Sequence, residues 1–323
     1  MKRACIAGIG SYLPETVVTN DDLARSVDTT DAWIVERTGI RQRHLAGPHE
    51  TCAMMATQAA KAALADAGIE AGKVDAIIVA TATPDQQFPA VAMRVQAALG
   101  ATAAFGFDIS AACSGFVYAL SVADGMMRAG QVDRVLVIGA EIYSRILNWQ
   151  DRATCVLFGD GAGAVLLEAR EVGHEPDAPG ILATQLHGDG RLGDILYVDG
   201  AVGQTERSGH LVMQGREVFR HAVANLAGAV TESLEISGLS IDAVDWLVPH
   251  QANIRIIEGV GRKLGLPMER VIVTVDRHAN TSAASIPLAL AEAWHDGRVK
   301  RGHLILLEAL GGGLTWGAAL VRL

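Results

Sequence analysis

Three side chains of this 323-residue sequence could act together in catalysis: Cys113, His250 and Asn280. Cys113 lies in FDISAACSGFVYALSVADGMMRAG, residues 107–130. Phe107 and Ile109 alternate like the end of a strand, whereas Phe116, Leu120, Val122 and Met126 follow a helical period. The thiol is therefore expected at a strand-to-helix turn, with Ala111, Ala112 and Gly115 leaving room for a substrate. The first N–H groups of a helix lack intrahelical partners and favour negative charge. A lowered thiol pKa and an available thiolate are expected from that position. On this stretch alone, a buried inert cysteine is the competing reading. His250 ends an apolar run in PHQAN, where a structural histidine is the alternative. Asn280 lies in RHANTSAAS, where it could instead cap the following helix.

The elements that must position these groups alternate between strand and helix. Strands are predicted over 3–10, 74–83, 134–139, 164–167, 244–248, 270–275, 303–307 and 318–323. Helices are predicted over 31–39, 51–68, 91–99, after Ser114, 219–237, 254–264 and 287–296. This order implies an α/β fold with sheets covered by helices. Residues 170–205 read as an irregular connection with a small hairpin. Gly8-Ile9-Gly10 lacks the third glycine and the helix of a dinucleotide loop. Asp160-Gly161-Ala162-Gly163 could cradle a phosphate or make a tight turn. Trp33 and Arg37 share a helix face. Arg37, Arg41 and Arg43 form a basic run, either a solvated loop or a contact for phosphate or adenine.

The two halves repeat. Cys113 precedes Gly130 by 17 residues, Asn280 precedes Gly297 by 17, and each glycine leads into an apolar strand. VDAIIVATAT matches VDWLVPHQAN, and GAVLL matches the final GAALV. A repeat this long implies a duplicated domain, with halves 1–170 and 171–323. Equivalent strand ends would then bring Cys113, His250 and Asn280 around one crevice.

Composition narrows the function classes. The net charge of −9 argues against nucleic acid or an anionic membrane surface as the main partner. The four cysteines form neither a CxxC pair nor a disulfide framework, which suits a reducing cytoplasm. No HExxH or Cys/His cluster suggests a metal. Lys2 and Arg3 precede a segment too short and glycine-rich for a signal peptide.

A Cys/His/Asn set also occurs in papain-like proteases, but nothing around Cys113 resembles one. DISAACSGF, PHQANIRI, NTSAAS, GGGLTWGAALVRL and DAWIVERTGIRQRH instead resemble, in order, the β-ketoacyl-[acyl-carrier-protein] synthase III family. That resemblance implies a thiolase-like duplicated α/β fold with mixed sheets packed around buried helices. It implies a decarboxylating condensation of an acyl-CoA primer, acetyl-CoA first among them, with malonyl-acyl carrier protein. A related acyltransferase or ketide synthase of secondary metabolism is the alternative. Cys113 would carry the acyl group, and His250 and Asn280 would stabilise the enolate. The N–H groups of Cys113 and Gly312 would form an oxyanion hole. Trp33, Arg37, Arg152 and Asn253 would bind CoA, which is a substrate, so no cofactor is expected. Phe88 would reach the acyl pocket of a homodimer partner. Arg220, Arg255, Arg262 and Lys263 would receive the acidic carrier protein. Ala153 and Ala279 stand where other members of the family carry glycine.

Overall fold

Near-continuous apolar runs become strands buried on both faces. In the computed structural model, which describes residues 2–173, 177–200 and 209–323, such runs form the central strands of two sheets. The first has strands β1 (Lys2–Tyr12), β2 (Ala76–Ala80), β3 (Phe105–Ile109), β4 (Arg134–Ile142) and β5 (Asp160–Glu171), in the order β1-β5-β4-β2-β3. The second has β6 (Gly180–Gly188), β7 (Trp246–Pro249), β8 (Leu304–Gly311) and β9 (Thr315–Arg322), in the order β6-β9-β8-β7. In each sheet two antiparallel pairings lead to a parallel one. A single parallel bridge from Val271 to Leu247 stands where β3 lies in the first sheet.

Helices cover the sheets in layers: α1 (Asp31–Thr38), α2 (Cys52–Ala67), α3 (Val91–Leu99), α4 (Gly115–Arg128), α5 (Gly215–Ser237), α6 (Ile254–Leu264) and α7 (Ser285–His295). Between the sheets lie α4 and α7, whose Phe116, Leu120, Ile286 and Leu290 share one core with Val135 and Val137 of β4 and Ile305 and Leu307 of β8. The alternate residues Leu136 and Ile138 face the α2 side, and Leu304 and Leu306 face the α5 and α6 side. This period of two on doubly buried strands makes five alternating layers.

Small residues set the spacing of those layers. A Cβ on Gly10 would lie 2.3 Å from the backbone nitrogen of Ala63, so α2 packs directly on β1 through its alanines. Gly8 and Gly10 serve packing, in line with the absence of a dinucleotide loop. Asp160 to Gly163 form neither a turn nor a phosphate cradle. They lie within β5, where a Cβ on Gly163 would be 2.6 Å from the carbonyl carbon of Pro287 in α7.

Several boundaries differ from expectation. The strand expected over 74–83 is confined to 76–80. Residues 270–275 form only the Val271 bridge and then enter a short helix, Val275–His278, because Gln251 Oε1 accepts from the N–H groups of Thr274 and Val275. The connection read over 170–205 holds the nine-residue strand β6; its residues 174–176 and 201–205 lie outside the described residues. Leu196–Val198 pairs with Leu211–Met213, so the second strand of the small pairing lies beyond the range in which a hairpin was expected. The count of 17 also misaligns the repeat. Helix α7 has 11 residues and α4 has 14. The turns before them match Ala112 (φ 45°) to Ser282 (φ 49°), so Cys113 corresponds to Ala283 and Asn280 precedes the turn.

Candidate active site

A short 3₁₀ turn, Ala112–Ser114, carries Cys113 from β3 into α4. His250 follows β7, where its N–H donates to the Glu308 carbonyl of β8 at 2.8 Å. Asn280 is tied at both backbone groups: its N–H donates to Leu157 at 2.9 Å, and its carbonyl accepts from Gly159 at 3.0 Å. All three side chains line one cavity of about 1210 Å³ and are themselves buried. The three residues meet in one cavity, although Cys113 and Asn280 are not equivalent positions of the repeat.

The electrostatics of Cys113 run against expectation. Burial pushes its thiol up to about 12, only partly opposed by hydrogen bonding to Ser282 and to the backbone. Desolvation is the largest cause and disfavours the thiolate. His250 is driven the other way by the same cause, down to about 3, so its imidazole is neutral. Its Nδ1 lies 2.6 Å from Ser285 Oγ, which also accepts from the Gln251 N–H at 3.3 Å. With that oxygen already accepting, the Ser285 hydroxyl proton can be given to Nδ1, leaving the ring proton on Nε2. Asn280 Oδ1 accepts from the Ser282 N–H at 2.9 Å, which leaves the amide Nδ2 to donate elsewhere. Thus an imidazole N–H and an amide NH2 group are available as donors to the cavity.

Gly312 lines the cavity beside Cys113. Its neighbour Gly311 sets the approach, since a Cβ there would lie 2.6 Å from the Cys113 nitrogen. Tyr143 and Phe158, stacked at 4.8 Å and 15°, form part of the wall with Leu157, Leu196 and Leu211. Ser285 and Gly311 lay inside motifs already noted, and only packing reveals their contacts. Tyr143 carried no sequence signal of its own.

From the buried thiol the cavity extends to exposed residues of α1 and α6. The guanidiniums of Arg37 and Arg152 stack on the Trp33 indole at 4.5 and 4.7 Å. Arg152 also donates to the Asp28 carbonyl at 2.6 Å. Asn253 caps α6 through the Arg255 N–H and donates to the Arg37 carbonyl at 3.0 Å, joining α6 to α1. Arg255 lines the cavity and donates to the Glu36 carbonyl at 2.9 Å. Arg262, Lys263 and Arg220 are exposed, Arg220 in an ion pair with Glu217 at 2.6 Å. Phe88 is 82% exposed and does not line the cavity of its own chain. Arg43 is no part of a solvated basic run: it is fully buried, holding Val18, Asn20 and Val156. Ala279 takes φ 58° and ψ −160°, a conformation in which glycine is at ease. Among the described residues no cluster of His, Cys, Asp and Glu could hold a metal, and no helix is long and apolar enough to cross a membrane.

Residues 107–190 match the family described as 3-oxoacyl-[acyl-carrier-protein (ACP)] synthase III, and residues 234–323 match its C-terminal part. The chain is 65% identical to the β-ketoacyl-[acyl-carrier-protein] synthase III of Acidiphilium cryptum over the full length of both, and 63% identical to that of Granulibacter bethesdensis, again over both chains. The crystal structure of 3-oxoacyl-[acyl-carrier-protein] synthase III from Aquifex aeolicus superposes with a TM-score of 0.93 at 49% identity, covering 99% of this chain and 100% of that one. A priming β-ketosynthase of a polyketide biosynthetic pathway superposes with a TM-score of 0.93 at 37% identity, covering 99% and 96%. The chain belongs to the β-ketoacyl-[acyl-carrier-protein] synthase III family, acyl-transferring condensing enzymes of the thiolase fold.

Proposed function

We propose that the protein condenses an acyl-CoA primer, acetyl-CoA in the first instance, with malonyl-acyl carrier protein, giving 3-oxoacyl-carrier protein and starting fatty acid synthesis. The observation that carries this reading is one cavity holding a buried thiol beside a neutral imidazole and an amide. Cys113 sulfur attacks the primer carbonyl and CoA leaves as its thiolate. The malonyl thioester then loses carbon dioxide, and its carbonyl oxygen gains charge as the enolate forms. His250 Nε2–H and Asn280 Nδ2–H donate to that oxygen. Preorganised donors of this kind are worth roughly 3–4 kcal/mol each. The carbanion attacks the acyl carbonyl on Cys113; a carbon–carbon bond forms and the carbon–sulfur bond breaks. Backbone N–H groups of Cys113 and Gly312 receive the oxyanion in both acyl transfers.

Trp33, Arg37, Arg152 and Asn253 bind the CoA nucleotide and pantetheine, with indole for adenine and guanidinium for phosphate. Arg220, Arg255, Arg262 and Lys263 receive the carrier protein. The enzyme works as a homodimer in the cytoplasm, without a cofactor, and Phe88 closes the partner's acyl pocket. We take 1–170 and 171–323 as its two halves. A ketide synthase of secondary metabolism is the second reading, favoured by the 37% likeness to a priming β-ketosynthase. The relatives at 65% and 63% identity place it second.

The test is intact-mass analysis of the protein mixed with acetyl-CoA and then with malonyl carrier protein. One acetyl group on Cys113, discharged as 3-oxobutyryl carrier protein, is the expected result. A protein that binds acetyl-CoA without gaining covalent acetyl would overturn the proposal.

A further inference from the structure

The proposed oxyanion hole, on which this inference rests, takes one N–H from each half of the chain. Cys113 offers its own from the turn before α4, and Gly312 from the turn between β8 and β9. Two donors serve one oxyanion only when both reach it, at about 2.7–3.1 Å. Packing brings the turns close: a Cβ on Gly311 would lie 3.1 Å from the Ser114 nitrogen and 3.2 Å from the Ala111 carbonyl oxygen. Packing alone does not aim an N–H, whereas hydrogen bonds have direction. Ser114 is fully buried, and Thr315, the first residue of β9, lines the cavity. Their hydroxyl oxygens lie 2.8 Å apart although the residues are 201 apart in sequence. Ser114 Oγ is 2.7 Å from the Ala111 carbonyl, which also accepts from the Ser114 N–H at 3.2 Å. Thr315 Oγ1 lies 3.1 Å from the Ala111 carbonyl and 3.2 Å from the Gly312 carbonyl. Each hydroxyl has one proton to give. When Ser114 gives its proton to Ala111, Thr315 can give its own to Ser114. When Ser114 gives its proton to Thr315, Thr315 can give its own to Gly312. In either arrangement a hydrogen bond spans the two turns. The outer side of the Gly312 turn is held separately, by N–H···O bonds exchanged between Leu314 and Asp189 at 3.1 and 2.8 Å.

We infer that the Ser114 and Thr315 hydroxyls form a clasp that aims the Cys113 and Gly312 N–H groups at one point. Both act through the backbone they tie, so both are positioning residues. The clasp holds the Ala111 carbonyl, two residues before Cys113, and the carbonyl of Gly312 itself. Rotation of either turn about these anchors would swing its N–H away from the shared point. The clasp serves both acyl transfers, from CoA to Cys113 and from Cys113 to the carbanion, because each passes through an oxyanion at the acyl carbonyl. It does not serve decarboxylation, where the developing charge is met by His250 and Asn280. It also spans the two halves of the chain directly beside the nucleophile.

The experiment compares wild type with Thr315→Val, Ser114→Ala, the double variant and Thr315→Ser. Acetyl-Cys113 formation is followed by rapid quench and intact mass over a range of acetyl-CoA concentrations. Decarboxylation of malonyl carrier protein is measured on the same samples. Thr315→Val keeps the branched shape in β9, and Ser114 retains the Ala111 carbonyl, so no hydroxyl is left unpaired. Its maximal acetylation rate should fall about 10-fold, with half-saturating acetyl-CoA and decarboxylation unchanged. Ser114→Ala should cost less, about 3-fold, because Thr315 still reaches the Ala111 carbonyl at 3.1 Å. The double variant should be no slower than Thr315→Val, and Thr315→Ser should restore the wild-type rate. Wild-type acetylation in Thr315→Val overturns the clasp, as do losses that multiply in the double variant. An equal fall of both half-reactions, which a merely structural role would produce, overturns it too. So does a change confined to half-saturating acetyl-CoA, which would place Thr315 in substrate binding. Absence of acetyl-Cys113 in wild type would instead overturn the acyl-enzyme reading itself.

Discussion

At position 311 a side chain has no room, because its Cβ would lie 2.6 Å from the Cys113 nitrogen. Gly311→Ala should therefore displace the turn that presents the thiol. We expect a loss of about 1–3 kcal/mol in urea unfolding, the usual cost of overpacking, together with a fall in acetylation rate. Ionisation at single buried groups also shapes stability. Glu308 is fully buried, its Oε2 is unpartnered, and burial raises its carboxyl from 4.5 to about 8. The folded state keeps that proton while the unfolded chain loses it, so stability is present below about pH 4.5 and drains away as pH rises toward 8. His250, lowered from 6.5 to about 3, acts oppositely: its contribution is present above 6.5 and is lost as pH falls toward 3. Melting temperature against pH should thus decline on both sides. Glu308→Gln should flatten the alkaline decline and leave the acid one; an unchanged alkaline slope would remove Glu308 as its cause.

At the scale of elements, helix α7 links the layers to the chemistry. Its first residue, Ser285, holds His250 Nδ1 at 2.6 Å, and its Pro287 backbone lies against Gly163 of β5. Gly163→Ala is remote from substrate, yet it should push α7 away and slow decarboxylation as well as lower the melting temperature. Ser285→Ala should slow decarboxylation by releasing the imidazole, and should also lower stability by about 1–3 kcal/mol, because the buried Gln251 N–H loses its acceptor. Decarboxylation at the wild-type rate in Ser285→Ala would contradict that coupling. Helix ends of this kind were readable in sequence where a left-handed glycine closes them, as Gly39, Gly68 and Gly265 do. Strand β6 was hidden because GILATQLHG mixes polar and apolar residues without clean alternation, and its half-buried side chains match that mixture. The true partner of Cys113 in the repeat was hidden by a helix three residues shorter. The thiol's high pKa was unreadable in principle, since it comes from chain segments that close over Cys113 only after folding.

The whole molecule divides the labour: Cys113 comes from the first sheet's elements, and His250 and Asn280 from the second's. At its surface, Phe88 is 82% exposed, as a side chain destined for a partner subunit would be. Phe88→Ala should widen the range of acyl-CoA lengths accepted; unchanged selectivity would remove Phe88 from the pocket. Charge reversal at exposed Arg262 and Lys263 should raise KM for malonyl carrier protein, more so at low salt, without affecting acetyl transfer from CoA. The most direct test of the division is to measure acetyl-enzyme mass and carbon dioxide release on Cys113→Ala, His250→Ala and Asn280→Ala. Cys113→Ala should lose acetylation and still decarboxylate. His250→Ala and Asn280→Ala should retain acetylation and lose decarboxylation by roughly two to three orders of magnitude, the effect of one missing donor. Decarboxylation at the wild-type rate in Asn280→Ala would contradict the account and leave Asn280 as a structural residue of its turn.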